Sequence, residues 1–153
     1  MERIYIHKME EERIKRYNDK LEYLNQTIAN LYEWTEGIDS RTFSESIELQ
    51  KQYGIYHAFQ LSIEIITDLI AMVVKDLKLI PKDDYLNLET ITNKKIISPD
   101  LAARLREANG LRNRIVHDYN GLNNEIAFNR LIDLLKYLKE FMGGVKEWLK
   151  KNC

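Results

Sequence analysis

The run Leu111-Arg112-Asn113-Arg114-Ile115-Val116-His117-Asp118-Tyr119 brings an Arg, a His and a Tyr close together in the chain. Imidazole titrates near neutral pH, so His117 is a candidate for moving a proton as general base or acid. A guanidinium stays charged and offers two parallel N–H groups to phosphate oxygens, which makes Arg112 the candidate for stabilising negative charge. With nine Arg and three His in the chain, one Arg-to-His match at this spacing arises by chance too readily to decide anything alone. Tyr119, just before the Asn120-Gly121 breaker, also has a purely structural reading, a helix-end residue with its ring on the core.

Spacing constrains how these groups can meet. Five residues on a regular helix put Arg112 about 140° around the axis from His117, whereas Asn113, four residues away, shares the face of His117. One continuous helix does not converge Arg112 and His117. Either the helix ends or distorts near the motif, or a two-fold dimer brings two copies of the motif into a shared cleft.

The elements that must position these residues read as helices. From Met9 to Trp34, apolar residues at Ile14, Tyr17, Leu21, Leu24, Ile28 and Leu31 trace one stripe, and Gly37 supplies a stop. A second helix is expected from about Thr42 to Leu79, closed by Pro81, with Ile47, Tyr53, Tyr56, Ile63, Ile66, Ile70, Val73 and Leu77 inside. Apolar residues off that stripe, at Ile65, Leu69 and Met72, predict more than one buried face and hence a central position or a dimer contact. Residues 82–98 are less regular, with a short helical turn at Tyr85, Leu86 and Leu88. Ser98-Pro99-Asp100 then starts a helix as cap, first-turn proline and first-turn acid, and the pattern leaves open whether Gly110 breaks it. A last helix, capped by Asn123 or Asn124, carries Ile126, Leu131, Leu134, Leu135, Leu138, Met142, Val145 and Leu149 inside; Gly143-Gly144 is a point where it bends or ends, leaving residues 146–151 as a final turn or tail. Four main helices with mostly short connections and no strand alternation predict an all-α fold. The expected architecture is an antiparallel four-helix bundle with short additional helices, one domain over residues 1–153.

Composition narrows the classes. At 44% hydrophobic and 31% charged, with six Gly and two Pro, the chain is far from the signature of disorder. A net charge of -1 argues against a protein that coats nucleic acid through a generally basic surface. The basic concentration of Arg104, Arg106, Arg112 and Arg114 is opposed by Asp100, Glu107 and Asp118, and its ordinary reading is a solvated mixed-charge face. Cys153 as the only cysteine allows no intrachain disulfide and no Cys-based metal cluster, which predicts a reducing, cytoplasmic compartment. Glu10, Glu11 and Glu12 stand where a signal peptide would be apolar, and no stretch approaches the roughly 20 apolar residues of a membrane span, so the chain is expected to be neither exported nor embedded.

Other candidates have plainer readings. His57 is expected in the core or an interface, His7 near a frayed terminus, and the three histidines are too scattered for a zinc site. Tyr17, Tyr23, Tyr32, Trp34, Tyr53 and Tyr56 fall at helical spacing and are expected to pack between helices. No Gly-rich phosphate loop, nucleophile elbow or Asp-rich polymerase-like motif is present, so the chain is not itself a nucleotidyltransferase.

The full form of the motif, with His117-Asp118-Tyr119, Asn113 directly after Arg112 and a place between the third and fourth long helices, resembles the signature of HEPN domains and of the HepT family in particular. His57-Ala58-Phe59 through Asp68-Leu69-Ile70 is similar to the second helix of that family, and most of the chain can be laid onto it. The resemblance implies a homodimeric, metal-independent endoribonuclease without a cofactor, the toxin of a toxin and antitoxin pair, acting on RNA and not DNA. RNA carries its own nucleophile, the 2′-hydroxyl, so such an enzyme need only move protons and stabilise charge on the phosphorus. Arg112 and His117 take these roles, and Asn113 positions His117 or the phosphate. Tyr119, by the same resemblance, is the acceptor of AMP groups from an MNT-type nucleotidyltransferase, the antitoxin, and the added charge would repel RNA from the cleft. A non-catalytic helical module that docks to, or presents substrate to, a nucleotidyltransferase stays open, as does an adaptor with an accidental motif. The intact Arg and His favour catalysis.

Overall fold

A computed structural model describes residues 2–152, with side chains from residue 10 onward, so Cys153 and the His7 side chain lie outside the described residues. The stripe from Ile14 to Leu31 faces inward from helix α1 (Glu2–Thr35), all of it buried except half-buried Ile14. Gly37, at φ +72, supplies the left-handed residue just past its end.

Helix α2 (Leu49–Asp76) is shorter at both ends than the periodicity suggests. Thr42–Ser46 is a separate π-helical turn, tied by the Thr42 backbone N–H donating to Asp39 Oδ1 at 2.7 Å, and Ile47 is extended. The break lets Phe43 drop into the core, where it stacks on Phe128 at 4.6 Å between centroids while its carbonyl accepts from buried Gln52 at 3.0 Å. At the far end Lys78 adopts φ +65 and the Leu79 N–H bonds back to the Val74 carbonyl, so α2 closes before Pro81 is reached.

The α2 helix touches α1 and every helix that follows, the central position that explains the burial of Ile65, Leu69 and Met72 off its main stripe. Contrary to the expectation from sequence, α2 is long and apolar enough to pass for a membrane span by composition, but most of that stretch is buried inside the bundle, as in a core helix.

Residues 82–98 are more ordered than expected. They hold helix α3 (Asp84–Asn93), capped by Asp83 accepting from the Leu86 N–H at 2.8 Å. Buried Asn87 bonds both the N–H and the carbonyl of Lys82, at 2.7 and 3.1 Å, which fixes the entry to the helix. A second left-handed lysine, Lys95 at φ +60, ends it.

Helix α4 (Pro99–His117) starts as the sequence predicts, with Ser98 Oγ accepting from the Leu101 N–H at 3.1 Å and Pro99 in the first turn. Gly110 lies inside it. A short 3₁₀ turn over Tyr119–Gly121 leads to helix α5 (Asn124–Asn152), whose cap is Asn123, accepting from the Ile126 N–H at 3.1 Å. Gly143-Gly144 neither ends α5 nor leaves a tail: the helix continues to Asn152, and a Cβ on Gly144 would stand 3.6 Å from the Ile96 carbonyl oxygen and 3.7 Å from the Ile97 side chain. Ile126 is exposed and Leu131 to Leu149 form the buried face. The four long helices make the antiparallel bundle around one continuous core, α3 is the short addition, and no strand occurs among the described residues.

Candidate active site

All three motif residues sit at the end of α4 or just past it. Leu111 and Ile115, buried at four-residue spacing, seat this last stretch of α4 on the core and leave Asn113, Arg114, Val116 and His117 exposed. Because α4 stays helical through His117, the chain alone does not bring Arg112 and His117 together; the two diverge as five-residue spacing requires.

Arg112 turns toward α2. Its Nη2 donates to Glu64 Oε1 at 2.9 Å and its Nη1 to Asn113 Oδ1 at 3.0 Å, so the guanidinium is held at both ends. Gln60 donates to the same Glu64 oxygen at 3.1 Å. Hydrogen bonds from Gln60 and then Arg112, with the charges of Arg112 and His57 behind them, hold the Glu64 carboxyl below the usual carboxylate range. Asn113 therefore orients Arg112 in this chain. His117, the last residue of the helix, has its side chain in solvent. Neither Arg112 nor His117 is committed to apolar packing, the arrangement that would have marked the motif as accidental.

The Tyr119 phenol hangs over the start of α2. Its hydroxyl donates to Gln52 Oε1 at 3.3 Å, and its ring meets Tyr53 and Tyr56 edge-on at 5.6 and 6.3 Å. Buried Gln52 thus links Tyr119 to the Phe43 carbonyl, and Tyr56 donates onward to Asn124 Oδ1 at 2.6 Å. Tyr119 still exposes 37% of its surface. Partial burial, then the neighbouring Tyr53 hydroxyl, push its pKa up to about 12, so the phenol is accessible and neutral at ordinary pH. Its local position is set by a tight turn: a Cβ on Gly121 would stand 2.7 Å from Asp118 Oδ1.

Several expectations change. Of the two places expected for His57, core or interface, the core is excluded because the residue is exposed, and its charge reaches Glu64. Of the six aromatics expected between helices, Tyr17 and Tyr56 are buried, whereas Tyr23, Tyr32, Trp34 and Tyr53 are substantially exposed. Glu64, Gln60 and Gln52 were missed. Polar residues at 57, 60 and 64 do share one face of α2 by helical spacing, but that spacing names no partner for Glu64 and does not reach Gln52. Among the described residues, no three His, Cys, Asp or Glu side chains cluster as a metal-holding group.

Comparison with known proteins gives a consistent picture. The family model described as Ribonuclease HepT-like matches residues 24–145. An Archaeoglobus fulgidus protein provisionally named an RNase is 32% identical over 139 residues, covering 91% of this chain and 97% of its own length. A second A. fulgidus protein with the same provisional name is 34% identical over 111 residues, covering 72% and 76%. Among solved structures, a tri-AMPylated Shewanella oneidensis HEPN toxin in complex with an MNT antitoxin superposes with a TM-score of 0.75 at 20% identity, over 86% of this chain and 96% of that one. At that identity the likeness is one of fold.

Proposed function

We infer the chemistry of this site from one premise, that the chain belongs to the HepT-like ribonuclease family: it cuts RNA by attack of a 2′-hydroxyl on the adjacent phosphorus. His117 takes the proton of the attacking hydroxyl as the new P–O bond forms. The 5′-oxygen leaves with a proton taken from water, His117 releases its own proton to solvent, and the products are a 2′,3′-cyclic phosphate and a 5′-hydroxyl. Arg112 neutralises the charge that builds on the non-bridging oxygens. No step calls for a metal.

The observation that carries this reading is the pairing of a solvent-open His117 with an Arg112 whose guanidinium is aligned beforehand by Glu64 and Asn113. Since α4 keeps the two side chains apart, the working site is composite. It takes its Arg from one copy and its His from the other in a homodimer. The fold is similar to that of a tri-AMPylated HEPN toxin in complex with an MNT antitoxin, and on that likeness Tyr119 is the acceptor through which a partner nucleotidyltransferase silences this enzyme: the phenol oxygen attacks the α-phosphorus of ATP, pyrophosphate leaves, and the partner supplies the base that takes the phenol proton. The accessible, neutral Tyr119 fits that role and equally fits a rival, a non-catalytic module that presents Tyr119 to the transferase.

Cleavage of total cellular RNA by the purified protein in excess chelator, beside His117→Ala and Arg112→Ala, separates the two. Chelator-resistant cutting with cyclic phosphate ends, abolished by either substitution, supports the ribonuclease. No cutting by protein whose mass shows Tyr119 unmodified selects the module.

A further inference from the structure

The face of α4 that carries Asn113 and His117 continues toward the helix N-terminus through Gly110 to Arg106, at spacings of four, three and four residues. Over that distance, about 16 Å along the axis, the stripe carries one arginine, one histidine, one amide and no carboxylate. Gly110 leaves bare backbone in the middle. A Cβ there would meet nothing within 4 Å, so packing inside this chain does not require the glycine.

Two of the four arginines in the basic cluster pair with carboxylates, and two, Arg106 and Arg114, do not among the described residues. Arg104 pairs with Glu107 at 3.2 Å and Arg112 with Glu64 at 2.9 Å. Arg106 has no carboxylate within ion-pairing distance among the described residues, although Asp84 lines the same small cavity, and its Nε is buried without a hydrogen-bond partner. Its guanidinium lies 5.2 Å from the ring centroid of Tyr85, on α3, and that ring is 61% exposed. A cation with no internal counter-ion beside an open aromatic ring combines the two features by which single-stranded nucleic acid is held, charge for the backbone and a face for a base.

We propose that Tyr85 and Arg106 form a second RNA-holding point, Arg106 meeting a backbone phosphate and Tyr85 stacking on a neighbouring base of a single strand laid along α4 toward His117. The proposal rests on the ribonuclease reading above and extends it: the strand is gripped about three helical turns from the proton-transfer residue. The preferred substrate is then an unpaired segment, since a base within a duplex has no free face for Tyr85.

The test is binding of the full chain to a labelled single strand whose 2′-hydroxyls are methylated, followed by anisotropy across a range of salt. Because that strand cannot be cut, binding is read apart from catalysis. Removing one phosphate contact lowers the slope of log affinity against log salt by about 0.7 for single strands, the expected result for Arg106→Gln. Tyr85→Ala is expected to weaken binding at least about fivefold at fixed salt without changing the slope, and Tyr85→Phe to restore it. The Tyr85 pair, on an exposed ring, keeps the test alive should Arg106→Gln fail to fold. An unchanged slope in folded Arg106→Gln, an unchanged affinity in Tyr85→Ala, or no binding by the unaltered chain overturns the proposal. If the variants bind as the unaltered chain does while unmodified RNA is still cut through His117, only this site falls. If binding shifts as stated and no RNA is cut, the site stands and the catalytic reading falls.

Discussion

Arg112 on α4 and Glu64 on α2 meet at 2.9 Å, an ion pair that is partly open to water and bridges the two helices next to the motif. Exposed pairs of this kind contribute little to stability, about 0.2–1 kcal/mol, so the value of the contact lies in where it points the guanidinium. Glu64→Ala is therefore expected to slow RNA cleavage by roughly tenfold to a hundredfold, the cost of a misplaced group, while moving the unfolding midpoint little. A rate equal to that of the unaltered chain would show that Arg112 does not depend on Glu64. Acid should reach the same end. The Glu64 carboxyl is depressed in the folded state, so its contribution is present above the ordinary carboxylate pKa and is lost as pH falls through the lower, folded value.

Three phenols titrate in the opposite sense. Burial and a hydrogen bond to Asp76 raise Tyr17, burial and the nearby Tyr119 raise Tyr56, and partial burial with Tyr53 raises Tyr119 to about 12. Above the unfolded phenol value of about 10, the unfolded chain releases protons that the folded chain still holds. Stability present below pH 10 should then decline as pH rises toward 12, read as a falling urea midpoint. Tyr119→Phe should lessen the decline. A midpoint that stays flat from pH 9 to 11 would mean that these hydroxyls are freely solvated.

Two helix ends depend on lysines in the left-handed region, Lys78 at φ +65 and Lys95 at φ +60. That conformation costs an L-residue about 1–2 kcal/mol, part of which glycine returns through its extra freedom in the unfolded chain. Lys78→Gly and Lys95→Gly are each expected to raise stability by about 0.5–1 kcal/mol, a gain of roughly 1–4 °C in Tm for a chain of this length. Thermal unfolding of the single and double variants checks it, and a lowered Tm would point to a lysine side-chain contact that outweighs the backbone strain.

The same two lysines show why the bundle was legible in the sequence while its joints were not. The inner stripe of α1, the Ser98-Pro99 start of α4 and the buried face of α5 follow from spacing and caps that act locally. Lys78 and Lys95 carry no stop signal, because a left-handed lysine is a consequence of packing on either side of it. Phe43 likewise reads as one more apolar residue on a long helix until Phe128 and Gln52 are near enough to pull it into a separate turn. At the site, residue types and spacing named Arg112, Asn113, His117 and Tyr119. Glu64 and Gln52 were hidden because their roles arise between helices 48 and 67 residues apart in the chain.

The divergence of Arg112 and His117 leads to a prediction about the assembly. If each site draws Arg112 from one copy and His117 from the other, Arg112→Ala and His117→Ala are each inactive as pure proteins, since every site lacks one group. In a mixed dimer, one site has lost both groups and the other keeps both. Denaturing equal amounts of the two variants together and refolding them yields mixed dimers as about half of the population, each with one intact site of two. Activity should thus return to roughly one quarter of that of the unaltered protein. Were Arg112 and His117 to act from the same chain, through a distortion that α4 does not show, no combination would hold an intact site and the mixture would stay silent. Size-exclusion chromatography with light scattering on the same samples distinguishes a silent dimer from a failure to associate. A monomer that cuts RNA at full rate would refute the composite site outright.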